Sequence, residues 1–198
     1  MKTTGKIAVI VGLLFLFSTV TFMAGSSLIQ SFFIDKIQNK SNLIPGVILE
    51  IICGAAVAGI GVLMFPILKL FNRRLALGYV IFRFIECTII IAGGIYLISF
   101  LKFMWKYEMI IFIFTAIGGL IFSYLLYISK LIPRYLSVLG ITGYALLFLG
   151  AMMEMFSIIN INNGAGMLVY LPGGLFELFL PIWLFIKGFN SSAIASLS

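Results

Sequence analysis

The chain has 198 residues, of which 63% are hydrophobic and only 10% charged, with a formal net charge of +7 and a mean hydropathy of +1.23. A soluble domain carries about 25% charged residues, and the apolar residues here fall in runs long enough to cross ~30 Å of hydrocarbon as helices, so a soluble core is excluded. Histidine is absent, which removes the commonest general base, metal ligand and proton shuttle, and with them histidine-ligated intramembrane metalloproteases and Ser–His dyads.

Six spans follow in chain order: Ile7–Ile29, Ile44–Phe71, Leu75–Leu101, Met109–Ser129, Tyr135–Ile159 and Met167–Ile186. Polar or turn-forming segments divide them: Asp35 to Asn42, Asn72-Arg73-Arg74, a hairpin from Lys102 to Glu108, Lys130 to Arg134 with Pro133, and Asn160 to Gly166. Backbone polar groups must pair within each segment in lipid, and the runs are too long for barrel strands, so helices are predicted. The first run exceeds the apolar stretch of a signal peptide and is expected to be a retained helix. The fold class is all-α: a polytopic integral membrane bundle of six transmembrane helices, with residues 1–198 forming a single transmembrane domain.

Basic residues set the expected orientation. With the amino terminus inside, Lys2, Lys6, Lys69, Arg73, Arg74, Lys130, Arg134 and Lys187 flank the inner face, and Lys36, Lys40, Lys102 and Lys106 the outer. Eight against four predicts both termini in the cytoplasm. Trp105 and Tyr107 then belong to the outer aromatic belt, and Trp183 to the inner. The positive charge is that of flanking anchors. No basic run is long enough for a binding arm, so the expected partner is the lipid bilayer and not a nucleic acid.

The chemistry of the chain lies in charges inside the spans. Of six acidic residues, Glu50, Glu86, Glu154 and Glu177 fall within apolar runs, and Arg83 precedes Glu86 by three. A charge at the bilayer centre costs roughly 2.5–3.5 kcal/mol on insertion scales and marks a pathway, a ligand site or a polar network. At 1.5 Å per residue, Glu50, Glu154 and Glu177 are expected in one layer of the outer leaflet, with Arg83 and Glu86 beneath. Arg83 and Glu86 share a helical face and are expected to pair. Four carboxylates exceed one guanidinium, so at least one glutamate is expected to hold its proton.

Two Pro-Gly-x-x-x-Glu segments, Pro45-Gly46 to Glu50 and Pro172-Gly173 to Glu177, place proline in a predicted first helical turn and put both carboxylates at one depth, where adjacent helices would couple them. Gly54, Ala55, Ala58, Gly59 and Gly61, with Gly93-Gly94 and Gly118-Gly119, read as close helix packing. Cys53 and Cys87 read as small hydrophobes in mid-helix, with no disulfide framework and no zinc pattern. Neither a cofactor nor a metal is expected.

Asn72-Arg73-Arg74-Leu75-Ala76 followed by Arg83-Phe84-Ile85-Glu86 resembles the second-to-third helix region of an uncharacterised bacterial polytopic membrane protein family, catalogued as domain-of-unknown-function family 4386. Pro133 to Gly140 resembles its fifth-helix start, and Glu177 with Trp183 to Phe189 its carboxyl-terminal segment. The resemblance implies a multi-pass protein of the bacterial cytoplasmic (inner) membrane and brings no catalytic assignment. The residues themselves lead to a small binding or transport protein, handling a proton, a cation or a cationic small molecule at Glu50, Glu86, Glu154, Glu177 and Arg83. The alternative is a structural or accessory subunit whose buried Glu/Arg network fixes helix packing. A lipid-active enzyme is weaker, because no nucleophile–base pair is visible. A protein partner or a homo-oligomer is left open.

Overall fold

The computed structural model describes residues 2–34, 40–102 and 106–195. The long elements are α1 (Lys2–Ile34), α2 (Lys40–Leu68), α3 (Arg73–Phe100), α4 (Tyr107–Ser129), α5 (Arg134–Met155) and α6 (Leu171–Ile186); a 3₁₀ segment, Gly164–Tyr170, leads into α6, and a short α7 (Ser191–Ala195) follows it. Six spans among the described residues are long and apolar enough to cross a membrane. No strand occurs among the described residues. The protein is a multi-pass membrane protein.

The helix ends depart from the expected spans for local reasons. The second helix stops at Leu68, before the expected Phe71, because Asn72 caps α3: its side-chain oxygen accepts from Leu75 N at 3.0 Å. The fifth stops at Met155 rather than Ile159, since Ser157 adopts a left-handed φ of 58°. The third ends where Leu101 turns left-handed, with φ 51°. Pro45 lies inside α2 rather than in its first turn, because Lys40 to Ile44 are already helical; Glu50 therefore stands ten residues, about 15 Å, from the helix start. Pro172 does occupy the first turn of α6. Residues 35–39 of the first predicted loop, and Trp105 of the predicted outer belt, lie outside the described residues.

Each long helix packs on its neighbours in sequence, and α6 closes back onto α1, making a ring of six. Short connections leave little choice but antiparallel neighbours. The outward faces are apolar, as at Val20, Ile95 and Ile186, all well exposed on the bundle surface. In lipid this shell needs no burial, so the packing that holds the ring together lies inside it.

The interior differs between the two halves. One half contains the amino-terminal parts of α1, α3 and α5 and the carboxyl-terminal parts of α2, α4 and α6. It is filled by a continuous cluster including Val11, Phe15, Met64, Tyr79, Phe122, Leu126 and Leu180. At its centre, Phe122 stacks with Tyr79 at 4.9 Å and with Phe15 at 5.8 Å between ring centroids. The other half holds only small clusters between neighbouring helices: Ile29, Leu43 and Leu97; Ile90, Tyr107 and Ile111; Met109, Ala151 and Ile161. They pack the wall and leave the middle open.

The α5–α6 wall depends on two backbones in contact. A Cβ added to Gly143 would stand 2.5 Å from Gly173 Cα and 2.8 Å from the Pro172 carbonyl carbon. Backbone cannot swing aside as a side chain can. Gly143→Ala should therefore destabilise the protein by about 1–3 kcal/mol, the range for overpacking. Gly174→Ala, one helical step away where an added Cβ meets nothing within 4 Å, should be neutral or slightly stabilising, since alanine is the better helix former. Thermal melts in detergent check the contrast; equal losses would mean that the α5–α6 contact does not limit stability.

Candidate functional site

The open half encloses a cavity of about 500 Å³, to which all six long helices contribute. Gln30 near the end of α1, Glu108 in the first turn of α4, and Asn162 and Tyr170 before α6 line its mouth. Arg83, Glu86, Tyr144 and Glu177 line its depth. Phe15 also borders the cavity, so the Phe15–Phe122–Tyr79 stack separates this space from the packed half.

Arg83 and Glu86 form the expected pair: Arg83 Nη1 donates to Glu86 Oε2 at 2.7 Å, and each side chain is about 95% buried. The spacing of three on α3 makes this geometry local. The guanidinium lies 5.3 Å from the Tyr79 ring centroid, a cation–π contact. Its stem passes between two glycines. A Cβ on Gly61 of α2 would meet Arg83 Cβ at 3.3 Å, and one on Gly118 of α4 would meet Arg83 Nε at 3.7 Å. Part of the glycine content expected to serve helix packing thus makes room for this side chain. Thr115 of α4 donates to Glu86 Oε1 at 2.7 Å, so both Glu86 oxygens have partners.

Glu177 is the second anchored carboxylate. Tyr144 of α5 donates to its Oε1 at 3.0 Å, and Thr19 of α1 to its Oε2 at 3.3 Å. Phe22 of α1, Phe112 of α4 and Tyr170 lie nearer the mouth. Phe22 and Phe112 meet edge to face at 6.0 Å between centroids, and Phe112 meets Tyr170 at 5.6 Å. Phe22 is three residues past Thr19 and Phe112 three before Thr115, so this aromatic collar lies about one turn above both carboxylates.

The remaining predicted residues do not join this set. Glu50 is 4% exposed and lies against the α1–α2 crossing, where a Cβ on Gly25 would meet its Cγ at 3.1 Å. Its Oε2 has no hydrogen-bond partner. Glu154 ends α5 and organises a turn: its Oε2 accepts from Ile161 N at 2.8 Å. Its carbonyl accepts from Lys106 Nζ, which also reaches Ser157 Oγ at 2.9 Å. The expected layer of Glu50, Glu154 and Glu177 is therefore not one site. Coupling between Glu50 and Glu177 required adjacent helices, whereas α1 packs against both α2 and α6 and stands between them.

Four contributors were not among the predicted site residues: Glu108, Thr19, Thr115 and Tyr144. A signal for one wall did exist. Ser18-Thr19, Phe22-Met23, Ser26-Ser27 and Gln30 recur at helical spacing along α1, and all line the cavity. Among the described residues, no group of three or more histidine, cysteine or acidic side chains is arranged to hold a metal ion.

An apolar shell around a cavity that holds buried charged side chains defines a helical multi-pass membrane protein. The chain belongs to the family described as Domain of unknown function (DUF4386), whose model matches residues 10–108 and 96–188. Arg83, Glu86 and Glu177 all fall within the matched residues. A search of curated proteins and of solved structures finds no match.

The pair on α3 generates a stability prediction. Arg83→Ala leaves Glu86 buried without its cation and should cost about 3–5 kcal/mol, whereas Arg83→Met combined with Glu86→Leu should cost less, because apolar replacement of both partners is often tolerated. Melting curves of the three proteins in detergent check the order. Equal losses in the single and double variants would show that the pair is not the main consequence of removing Arg83.

Proposed function

We propose that the protein is a small binding or transport protein that takes a cationic small molecule, or a cation or proton, into the cavity between its six helices. The observation that carries this reading is the charge of the lining: Glu86, Glu108 and Glu177 against the single guanidinium of Arg83. Glu177, held by two neutral hydroxyls, is the proposed ligand carboxylate. Arg83 and Glu86 are the proposed inner gate, beside the aromatic stack that fills the closed half. Glu50 and Glu154 enter this reading as supports of the wall. A cavity open toward one end and packed at the other has the form of one state of an alternating-access carrier.

The proposed setting is the bacterial cytoplasmic membrane, with both termini in the cytoplasm and the mouth of the cavity outside. The distribution of lysine and arginine supports it. A reporter fused after Ser198 should be active on the cytoplasmic side; activity on the outer side would turn the cavity inward.

A specific observation favours a second reading. Both oxygens of Glu86 and of Glu177 already have protein partners, as in a network whose role is to fix helix packing in a structural or accessory subunit. Thermal shift with sodium, potassium, tetraethylammonium and benzyltrimethylammonium separates the two. Binding predicts stabilisation by at least one cation and, in Glu177→Gln, an affinity lower by about tenfold or more, since a hydrogen bond to a charged group is worth roughly 1.5–3 kcal/mol. No shift with any of these cations, with Glu177→Gln simply melting lower, would support the packing role.

A further inference from the structure

A second cavity, of about 510 Å³, lies at the opposite end of the bundle, where α4 turns into α5 beside the end of α6. Its lining includes Lys130, Arg134 and Lys187, together with Trp183 and Asn190, and no acidic residue. The three basic side chains belong to exposed residues. The described acidic residues all belong to the other half of the ring or to its middle, so among the described residues no carboxylate lines this cavity beside the cations. Arg134 leans over the Tyr127 ring, 5.4 Å from its centroid, which occupies its stem and one face and leaves its fork of donors to other partners.

The local backbone suits an anion as well. Pro133 precedes α5 without a side-chain cap, so the positive end of that helix adds to the field of the lysines and arginine. The cavity has a fixed frame. Asn190 N donates to the Leu131 carbonyl at 2.9 Å, and Asn190 Nδ2 to the Lys130 carbonyl at 3.3 Å, which ties the chain after α6 to the α4–α5 turn. Beside the charges the surface becomes apolar and open: Tyr135 and Ile186 are each 71% exposed. A polar group above and hydrocarbon along the same helices is the arrangement of a lipid at the membrane interface, where Trp183 also belongs.

We infer that Lys130, Arg134 and Lys187 form a binding site for the phosphate headgroup of an anionic phospholipid, its acyl chains lying along the outer faces of α5 and α6. Charge complementarity carries the choice of occupant. A juxtamembrane basic residue near an anionic surface contributes about 1 kcal/mol, and three that line one cavity contribute to a single headgroup. This site is separate from the carboxylate-lined cavity and does not depend on the proposed cation ligand.

The test uses the full chain purified in detergent, with bound lipid counted by native mass spectrometry as phosphatidylglycerol or phosphatidylcholine is added. Phosphatidylglycerol should bind in preference. Lys130→Gln, Arg134→Gln and Lys187→Gln should each weaken it about fivefold, the equivalent of the surface contribution per charge. Lys187→Arg should retain binding. Lys69→Gln and Arg73→Gln, which remove the same charge from the same end but lie outside the cavity, should leave binding within twofold of the parent. Melting in lipid-free detergent should change little in these variants, since the residues altered are exposed and lose at most a surface cation–π contact. Equal weakening by Lys69→Gln and Arg73→Gln would overturn the site in favour of diffuse attraction. So would equal binding of phosphatidylcholine. Stabilisation by inorganic phosphate as large as that by phosphatidylglycerol would overturn the lipid as the occupant.

Discussion

The buried guanidinium of Arg83 is the constraint around which the centre of this bundle is organised. An arginine within a transmembrane helix is costly unless it faces the bundle interior and finds partners there. Glu86 supplies the counter-charge from one turn along α3. Tyr79 supplies an aromatic face, and Thr115 holds the far side of the Glu86 carboxylate. Gly61 and Gly118 keep α2 and α4 from filling the space that the side chain crosses. Three helices are thus placed relative to one another by one charge, in a surrounding where apolar contact between helices gains little over contact with lipid tails.

That placement falls at the boundary between a packed half and an open half. Below it, Tyr79, Phe122 and Phe15 stack across the ring, and side chains from all six helices fill the interior. Above it, the buried apolar side chains form only small clusters between neighbouring helices. Polar side chains of α1 line the space they leave. The hairpin before α4 is tied across to the end of α5 by Lys106, which reaches the Glu154 carbonyl and Ser157. The mouth therefore has a brace of its own, to which Glu154 contributes by its turn-forming hydrogen bond to Ile161 N and by its carbonyl.

Much of this frame was legible in the sequence because it rests on length and spacing. Runs of apolar residues give the helices, and the three-residue step from Arg83 to Glu86 gives their pairing. What the sequence could not supply was the rotation of each helix about its axis. Helices that are apolar all round carry no amphipathic stripe to mark an inward face, so nothing distinguished the inward Glu177 from Glu50 at the α1–α2 crossing. By its place beside Lys106, Glu108 belongs to the predicted hairpin, yet α4 begins at Tyr107 and carries it into the cavity wall. The polar stripe of α1 was the exception that periodicity could have revealed.

The partners of Glu177 bear on what can bind beside it. Its two oxygens accept from Tyr144 and Thr19, both neutral hydroxyls. A neutral ligand donating to the same oxygens would exchange one hydrogen bond to a carboxylate for another and gain little. A cationic donor adds Coulomb attraction between opposite charges to the hydrogen bond, in a space where three carboxylates face one guanidinium. The collar of Phe22, Phe112 and Tyr170 adds ring faces and edges about one turn above, and a cation passing over an aromatic face is attracted by about 0.5–2 kcal/mol according to its desolvation. Selectivity for positive charge would then arise from the neutrality of the residues that already satisfy the carboxylate.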